Sequence, residues 1–269
     1  MSDSLVGAVV DRLGASRGTD PGSTEADSID DDGSEPQEPG HGSATAADGP
    51  DTTSLSDLAT AAFCQRKLYY RRRDPVDPPA EYDHAMALAG RYREILDPDP
   101  GTGPDLHAAD LHVSPQTYRE NLAGARDRLD AWDGFVDPTA RRVVLRGREV
   151  HGMAAKVLED PLAPTIVSPG QPPPEGVWQP QSVRVVGLGK ALAWERQEPV
   201  ERAYVEYARH GTIREVRLTT RRKAAYRRVR RAVITMDGPP PRTGNDGKCR
   251  SCEVAAACGV RTRSLRSLL

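Results

Sequence analysis

The segment Cys249-Arg-Ser-Cys252-Glu-Val-Ala-Ala-Ala-Cys258 lies near the end of this 269-residue chain and places three cysteines at a C-x2-C-x5-C spacing. Three thiolates this close together in a short segment can converge on one metal centre. A fourth ligand is then needed, and the sequence contains four cysteines in all, so the remaining candidate is Cys64. The spacing predicts a metal centre that joins Cys64 to the C-terminal segment.

Four thiolates suit either an all-cysteine zinc site or a [4Fe–4S] cluster. Structural zinc sites usually pair two C-x2-C knuckles, whereas a compact triplet with one remote cysteine is more typical of an iron–sulfur cluster. We therefore expect a [4Fe–4S] cluster, with zinc or four unrelated buried cysteines as alternatives. The expected ligands are Cys64, Cys249, Cys252 and Cys258. Such a centre would close a loop of nearly the whole folded chain and lower the entropy of the unfolded state.

The charge of the chain is unevenly divided. Its net charge is -2, but residues 1–52 hold 12 Asp and Glu against two arginines, which leaves a net of +8 for the remainder. Residues 15–52 are rich in Gly, Ser, Asp, Glu and Pro, which predicts disorder. We expect a disordered acidic tail over 1–52 and a basic folded domain over 53–269. The basic domain favours a polyanionic partner, nucleic acid first, with a charged solvated surface as the alternative.

The sequence also argues against a membrane protein. No apolar run reaches the roughly 18 residues that a membrane span requires. The start, MSDSLVGAVVDRLG, has neither the basic beginning nor the long apolar core of a secretory signal. Cysteines that serve as ligands are typical of a reducing compartment. We expect a cytoplasmic protein without a membrane partner.

The hydrophobic periodicity predicts helices first and a small sheet afterwards. One helix over 54–73 is expected to carry Cys64 in its middle, to begin at a capping box of Ser54 and Asp57, and to end at Asp74-Pro75. The other predicted helices cover 83–96, 116–132, 180–195 and 221–235. The predicted strands cover Arg141–Leu145, Val150–Leu158 and Pro164–Val167, with a hairpin over 200–208 and 212–218.

On these features the chain resembles the RecB-like iron–sulfur exonucleases of CRISPR systems, the fourth Cas family within the PD-(D/E)XK nuclease superfamily. The resemblance covers about residues 53–262. It is carried by S-L-S-D-L and C-Q-R-K-L-Y-Y at 54–58 and 64–70, by P-V-E-R-A-Y-V-E-Y-A-R-H-G-T-I-R-E-V at 199–216, and by the cysteine spacing. It implies an α/β restriction-endonuclease-like (RecB-type) core with a helical N-terminal part and a C-terminal cysteine cluster.

The resemblance also implies where nuclease chemistry would lie. Such enzymes hold Mg²⁺ or Mn²⁺ on carboxylates and use a lysine to activate water. The aligned positions here carry other side chains: Arg93 and Glu94 for the family's His, Ala155 for its Asp, Ser168 and Gly170 for its Glu-x-Lys, and Val185 for the Tyr of its Q-x3-Y helix, which keeps Gln181. We therefore expect no catalytic residues, and a need for Mg²⁺ or Mn²⁺ only if an active site remains.

Charged residues near those positions leave a shifted active site as an alternative. The candidates are Glu149, His151, Lys156, Glu159 and Asp160. Glu159-Asp160-Pro161 is more simply interpreted as a solvated hairpin turn, and Lys156 as a surface side chain.

Two basic sets are candidates for binding nucleic acid. The first set lies near Cys64 and consists of Arg66, Lys67, Arg71 and Arg72, together with Tyr70. The second set lies on the basic helix and consists of Arg221, Arg222 and Arg228. Arginines can hold phosphates while a tyrosine stacks on an unpaired base, although burial against the core is the alternative for the tyrosine.

The sequence thus favours an iron–sulfur, nuclease-like protein that binds DNA, single-stranded or at ends, with a degenerate nuclease site. The resemblance suggests proteins of CRISPR adaptation or DNA repair as further partners. Two alternatives stay open. One is an active metal-dependent single-stranded DNA exonuclease with shifted catalytic residues. The other is a zinc-stabilised interaction protein without enzymatic activity.

Overall fold

The computed structural model of the chain describes residues 52–74, 80–99, 101 and 103–259. The predicted acidic tail, apart from Thr52, lies outside the described residues, as do residues 260–269. Within the described ranges the protein is a mixed α/β structure with one six-stranded mixed sheet. None of the helices in this part of the chain is long and apolar enough to cross a membrane.

The sheet is built around its longest strand, β3. In chain order the strands are β1 (Thr53–Ser54), β2 (Ala140–Arg146), β3 (Val150–Glu159), β4 (Leu162–Ser168), β5 (Arg202–Tyr207) and β6 (Thr212–Arg217). β3 pairs antiparallel with β2 and β4 and parallel with the short β1, while β5 pairs parallel with β4 and antiparallel with β6. The predicted strands and hairpin are confirmed.

Helices follow the predicted order with shorter individual spans. They are α1 (Leu55–Phe63), α2 (Gln65–Arg73), α3 (Glu81–Ala89), α4 (Tyr92–Leu96), α5 (Pro115–Arg128), α6 (Trp132–Val136), α7 (Gln179–Arg196), α8 (Thr220–Ile234) and α9 (Asp246–Arg250). The parallel pair β4 and β5 requires a crossover, and α7 provides it. The predicted helices at 180–195 and 221–235 are confirmed as α7 and α8.

Two apolar cores flank the sheet. The first contains buried side chains of α1, α7 and α8 together with Val157, Ile166 and Val205 of the strands. The second contains buried side chains of α3 to α6 together with Leu158 and Val167. Neighbouring residues of one strand therefore enter different cores, as the alternation of a strand requires. The helices thus cover both faces of the sheet.

The predicted single helix over 54–73 is interrupted at Cys64. This residue is extended, with φ -161° and ψ 116°, and it ends α1 and precedes α2. Its N–H still donates to the carbonyl of Thr60, and its carbonyl accepts from Leu68, so the break leaves both backbone groups bonded. The apolar period continues across the break to the buried Leu68, which is why the pattern alone predicts one helix.

Ser54 caps α1 as predicted, but the capping box is not formed. The Ser54 hydroxyl accepts from the N–H of Ser56 at 3.3 Å rather than from that of Asp57. The Asp57 carboxylate instead accepts a 2.8 Å hydrogen bond from Arg72 of α2. An ion pair between the two helices has therefore replaced a bond within the first turn.

The predicted helix over 83–96 is also two helices. Gly90 ends α3, and α4 begins two residues later. The predicted helix over 116–132 ends early at Arg128, and α6, which the sequence pattern did not resolve, follows after a short turn. The buried Tyr92 and Phe135 of the two short helices enter the second core, so tertiary packing rather than helix length stabilises them.

Gly187 marks the closest approach of α1, α7 and α8. A Cβ at this position would lie 2.2 Å from Cδ2 of Leu55 and 3.2 Å from Cε2 of Tyr226. Leu55 is fully buried. It also lies against Gly152, where an added Cβ would be 2.8 Å from the Cβ of Leu55. The leucine is therefore confined on two sides and has little room to move away.

We expect Gly187→Ala to lower the free energy of unfolding by about 1–3 kcal/mol, because the overpacking outweighs the gain in helix propensity. Gly124→Ala is the matched control, since a Cβ there meets nothing within 4 Å in α5. That control should stabilise the protein by up to about 1 kcal/mol. Denaturant unfolding of both variants checks this prediction. Equal gains in stability for Gly187→Ala and Gly124→Ala would show that the side chain of Leu55 can move aside.

Candidate metal centre and basic surfaces

The four cysteines line one small cavity between the α1–α2 junction and the C-terminal segment. Cys64 comes from the junction, Cys249 from α9, and Cys252 and Cys258 from the turns that follow. All four are free thiols of intermediate burial. The structure therefore brings together the residues that the spacing predicts as ligands, from opposite ends of the folded sequence.

Successive turns hold the three C-terminal cysteines close to one another. Asn245 begins α9, and its side chain accepts from the N–H of Lys248 at 3.3 Å. The N–H of Cys252 then donates to the carbonyl of Cys249, and that of Cys258 to the carbonyl of Val254 at 2.8 Å. Backbone bonds thus close the turns, and the side chain of Arg242 donates to the carbonyl of Cys258 at 2.9 Å.

Arg66 ties α2 to this segment. Its Nε donates to Sγ of Cys258 at 3.1 Å, and its other two nitrogens donate to the carbonyl of Pro240 and the hydroxyl of Tyr70. Arg66 and Cys258 are 192 residues apart in the chain. The hydrogen bond to Cys258 is the main cause that raises the pKa of Arg66 above its ordinary value.

Two further contacts dock the C-terminal segment on α1 and α2. Lys248 donates to the carbonyl of Phe63 at 2.8 Å, immediately before Cys64. Lys67 forms a 2.8 Å ion pair with Glu253, which lies next to Cys252. These side-chain contacts therefore hold the C-terminal cysteines near Cys64 without requiring a metal.

The lining of the cavity combines four thiols with four cationic side chains. Burial raises the pKa of Cys249, and the charges of the other three cysteines raise it further. A metal bound by these four cysteines would hold them as thiolates. Cationic side chains in the cavity wall would then offset the negative charge of the thiolates. They are Arg66, Lys67, Arg242 and Lys248.

The thiols share the cavity without meeting at one point. Among the described residues, no group of three or more His, Cys, Asp or Glu side chains stands close enough to hold a metal ion. Four thiolates on one zinc ion, each at about 2.3 Å, would lie roughly 4 Å apart. In a [4Fe–4S] cluster each thiolate binds a different iron, so the sulfur atoms lie farther apart. Both kinds of centre use four thiolates, and four thiols line this cavity.

Two of the positions aligned with a nuclease site, Ser168 and Gln181, form a neutral hydrogen-bonded group with Tyr207. The amide of Gln181 donates to Oγ of Ser168 at 2.8 Å and accepts from the hydroxyl of Tyr207 at 2.5 Å. Burial raises the pKa of Tyr207 to about 12, so this hydroxyl stays protonated. Ala155 and Val185 are buried. A hydroxyl at Ser168 and a buried methyl group at Ala155 therefore stand where the resemblance expects carboxylates.

The alternative set of charged residues is dispersed. Glu149 approaches Lys190 at 3.9 Å, Glu159 pairs with Arg196 at 2.9 Å, and His151 bonds to Thr52. The turn at Glu159 and Asp160 is exposed, as predicted.

Lys156 was predicted as a surface side chain, and this is wrong. Its side chain is 3% exposed and pairs with the fully buried Glu206 at 2.7 Å. Thr165 donates to the other carboxylate oxygen of Glu206 at 2.5 Å, which links three strands. Burial lowers the pKa of Lys156, and Glu206 opposes this shift. The rings of Tyr92 and Phe135 cover the ammonium group.

The sequence reasoning missed Glu206 and Thr165. The available signal is the run Ala-Tyr-Val-Glu-Tyr-Ala over 203–208, in which Glu206 is the one charged residue. In the structure every residue of this run is buried. A carboxylate in a strand buried on both faces needs a buried partner, and Lys156 supplies it.

The basic set near the cysteines is largely bonded within the protein. Lys67 and Arg71 approach Glu253, Arg72 pairs with Asp57, and Tyr70 accepts from Arg66. These contacts give the set a structural role at the C-terminal segment. Its predicted part in binding nucleic acid stays a prediction.

The second basic set lines an open groove, which we call the α7–α8 groove. Its walls are the beginnings of α7 and α8, and its volume is about 570 Å³. The lining residues are Val177, Gln179, Ser182, Thr219, Arg221, Arg222, Ala225 and Arg228. All three predicted arginines of this helix therefore face one concave surface.

No protein-family model matches the chain, and no curated protein matches it.

Proposed function

We propose that this chain is an iron–sulfur protein of the RecB-like, CRISPR-exonuclease type that binds DNA and has lost its nuclease site. The observation that carries the proposal is the shared cavity of the four cysteines. One ligand comes from the α1–α2 junction and three from the C-terminal segment, so a cluster would fasten the two ends of the folded domain.

The order of elements supports a RecB-type core. A helix, three antiparallel strands, a crossover helix and a parallel strand follow one another as α1, β2, β3, β4, α7 and β5. A restriction-endonuclease-like core has this order, and the helical pair α3–α4 precedes the strands as the resemblance expects.

The donor set supports a [4Fe–4S] cluster over zinc. The four thiols share one cavity, and in the chain they form a compact triplet with one remote cysteine, which is more typical of an iron–sulfur cluster than of zinc. Arg66 donates to the sulfur of Cys258, and hydrogen bonds to cysteine sulfur are one means by which proteins adjust a bound cluster. Bound there, the cluster would supply a rigid link or an electron-transfer centre.

The loss of nuclease chemistry is supported by the group around Ser168. Gln181 and Tyr207 bond to each other and to Ser168 at the end of β4. Neutral groups of this kind bind Mg²⁺ or Mn²⁺ far less well than carboxylates do. On this proposal the chain keeps the architecture of the family and lacks the metal ligands of its nuclease site.

Metal analysis of protein purified without oxygen tests the cluster. We expect about four iron atoms and four acid-labile sulfides per chain, with visible absorption that disappears on chelation. Zinc without sulfide would favour the zinc-stabilised interaction protein. No bound metal after reconstitution with iron and sulfide would overturn the proposal.

DNA binding and cleavage test the rest of the proposal. The cluster-loaded protein should bind DNA with an affinity that falls as salt rises, because bound phosphates release counterions. It should leave end-labelled single-stranded DNA intact in the presence of Mn²⁺. Cleavage that disappears on chelation would support the active exonuclease with shifted residues. Absence of binding at low salt would remove DNA as the partner.

A further inference from the structure

The α7–α8 groove combines three sources of positive potential. Its lining contains three arginines and, among the described lining residues, no carboxylate. The two helices that form its walls both begin there, at Gln179 and Thr220. Helix N-termini carry partial positive charge and unbonded N–H groups. The groove is therefore suited to a polyanion.

The arginines differ in how they are held. Arg222 donates to the carbonyl of Arg217 at 3.0 Å, which fixes its guanidinium beside the start of α8. Within the described residues, Arg221 and Arg228 are exposed and form no hydrogen bond or ion pair. They are seven residues apart, or about 10 Å along the helix. Ala225 lies between them and leaves the floor of the groove open.

An exposed tryptophan, Trp178, is the chain neighbour of two residues that line this groove, although it is not a lining residue itself. Trp178 is 50% exposed and lies between Val177 and Gln179, which both line the groove. Its indole N–H donates to the carbonyl of Gln171 at 2.8 Å, so the ring is held in place although much of it faces solvent. A fixed, exposed aromatic ring and unpaired arginines are the two kinds of group that bind unpaired bases and their phosphates.

We propose that the α7–α8 groove binds single-stranded DNA, with phosphates on Arg221, Arg222 and Arg228 and one base stacked on Trp178. This inference rests on the proposed function and adds the strand form and the binding surface. Duplex DNA keeps its bases stacked on each other and therefore cannot use Trp178 without unpairing. The groove should favour a single strand over a duplex of the same sequence.

The chain offers a matched control for the tryptophan. Trp194 is 52% exposed and lies on the same helix, near its other end. Its surroundings differ, because the pocket that it lines shares no residue with the α7–α8 groove. Substitution of Trp194 therefore removes an equally exposed ring without touching the groove.

The arginines have a matched control on the same helix. Lys223 and Arg227 are exposed and lie outside the groove lining. At about 100° per residue they lie on the other side of α8 from Arg221 and Arg228. Lys223→Glu/Arg227→Glu therefore changes the charge of the helix by the same amount as Arg221→Glu/Arg228→Glu.

The experiment measures binding of a fluorescent oligothymidine to the cluster-loaded full chain over a range of salt. Trp178→Ala should weaken binding roughly 5- to 100-fold, and Trp178→Phe should retain most of the affinity. Trp194→Ala should change it less than 2-fold. Arg221→Glu/Arg228→Glu should weaken binding and reduce the salt slope by about 0.7 for each phosphate lost, whereas the control pair should leave the slope unchanged.

The outcomes separate this inference from the proposed function. Binding that is equal in wild type and in the Trp178 and groove variants would overturn the groove as the binding surface, while DNA binding itself stood. If the protein bound a duplex as tightly as a single strand and Trp178→Ala did not change the affinity, the preference for single strands would be overturned. Absence of any DNA binding would overturn both the groove inference and DNA binding as part of the proposed function. Circular dichroism of each variant checks that it is folded.

Discussion

Replacement of Lys156 by alanine is expected to lower the free energy of unfolding by about 3–5 kcal/mol. The substitution leaves the carboxylate of Glu206 fully buried without its cationic partner. Water cannot reach that carboxylate, because Glu206 lies within β5 under the second core. The hydrogen bond from Thr165 alone does not offset the cost of burying a charge.

An exposed ion pair on the same strand provides the control. Glu159 and Arg196 pair at 2.9 Å, but both side chains are nearly half exposed. Arg196→Ala should therefore cost at most about 1 kcal/mol. Denaturant unfolding compares the two variants. Equal small losses would mean that Glu206 is neutralised or solvated when Lys156 is absent.

A double substitution tests whether the charges themselves are needed. Lys156→Met/Glu206→Gln keeps the volume and an acceptor for Thr165 but removes both charges. Since buried ion pairs are often replaced by neutral groups without loss, this variant should recover most of the stability lost in Lys156→Ala. It also separates structure from chemistry. If a nuclease activity were present and used Lys156, the double variant would be stable and inactive.

The position of Lys156 shows what a single sequence does not contain. A lysine within a strand is usually at an exposed position, and the prediction followed that rule. Lys156 is buried because Glu206, on a strand that is not its neighbour, reaches it across Thr165 of β4. That pairing depends on the strand order, which the local pattern does not give.

The cysteines were more predictable than the helix that carries one of them. With four cysteines in the chain, the triplet spacing left Cys64 as the remaining candidate, and the shared cavity agrees with that assignment. The break at Cys64 could not be predicted, because the apolar period of α1 continues into α2. The extended backbone follows from docking of the C-terminal segment through contacts such as that of Lys248 with Phe63.

The tertiary structure also decides which basic residues have partners within the protein. The sequence shows that arginines lie near Cys64 and along α8, but it does not show which of them form ion pairs. Arg72 pairs with Asp57 across α1 and α2, whereas Arg228 faces an open groove. Trp178 had no sequence signal of its own, since its exposure depends on how the preceding loop meets α7.

The second large effect is expected at Cys64. In protein loaded with the cluster, Cys64→Ser should lower iron content and reduce the free energy of unfolding by about 5 kcal/mol. This is the chain-entropy value for a cross-link that closes a loop of nearly two hundred residues. Cys64 is the one proposed ligand on the α1–α2 side, so its loss opens the loop even if the other three still bind metal.

Comparison with the metal-free forms isolates the contribution of the cross-link. The contacts of Arg66 with Cys258 and of Lys67 with Glu253 do not involve Cys64, so we expect them to persist in the variant. Chelated wild type and chelated Cys64→Ser should therefore unfold within about 1 kcal/mol of each other. An equal loss in loaded and chelated protein would show that Cys64 acts by packing at the helix junction. No loss in either form would show that the four cysteines do not act as one centre, because a ligand that fastens two ends of a chain cannot be removed without effect on its unfolding.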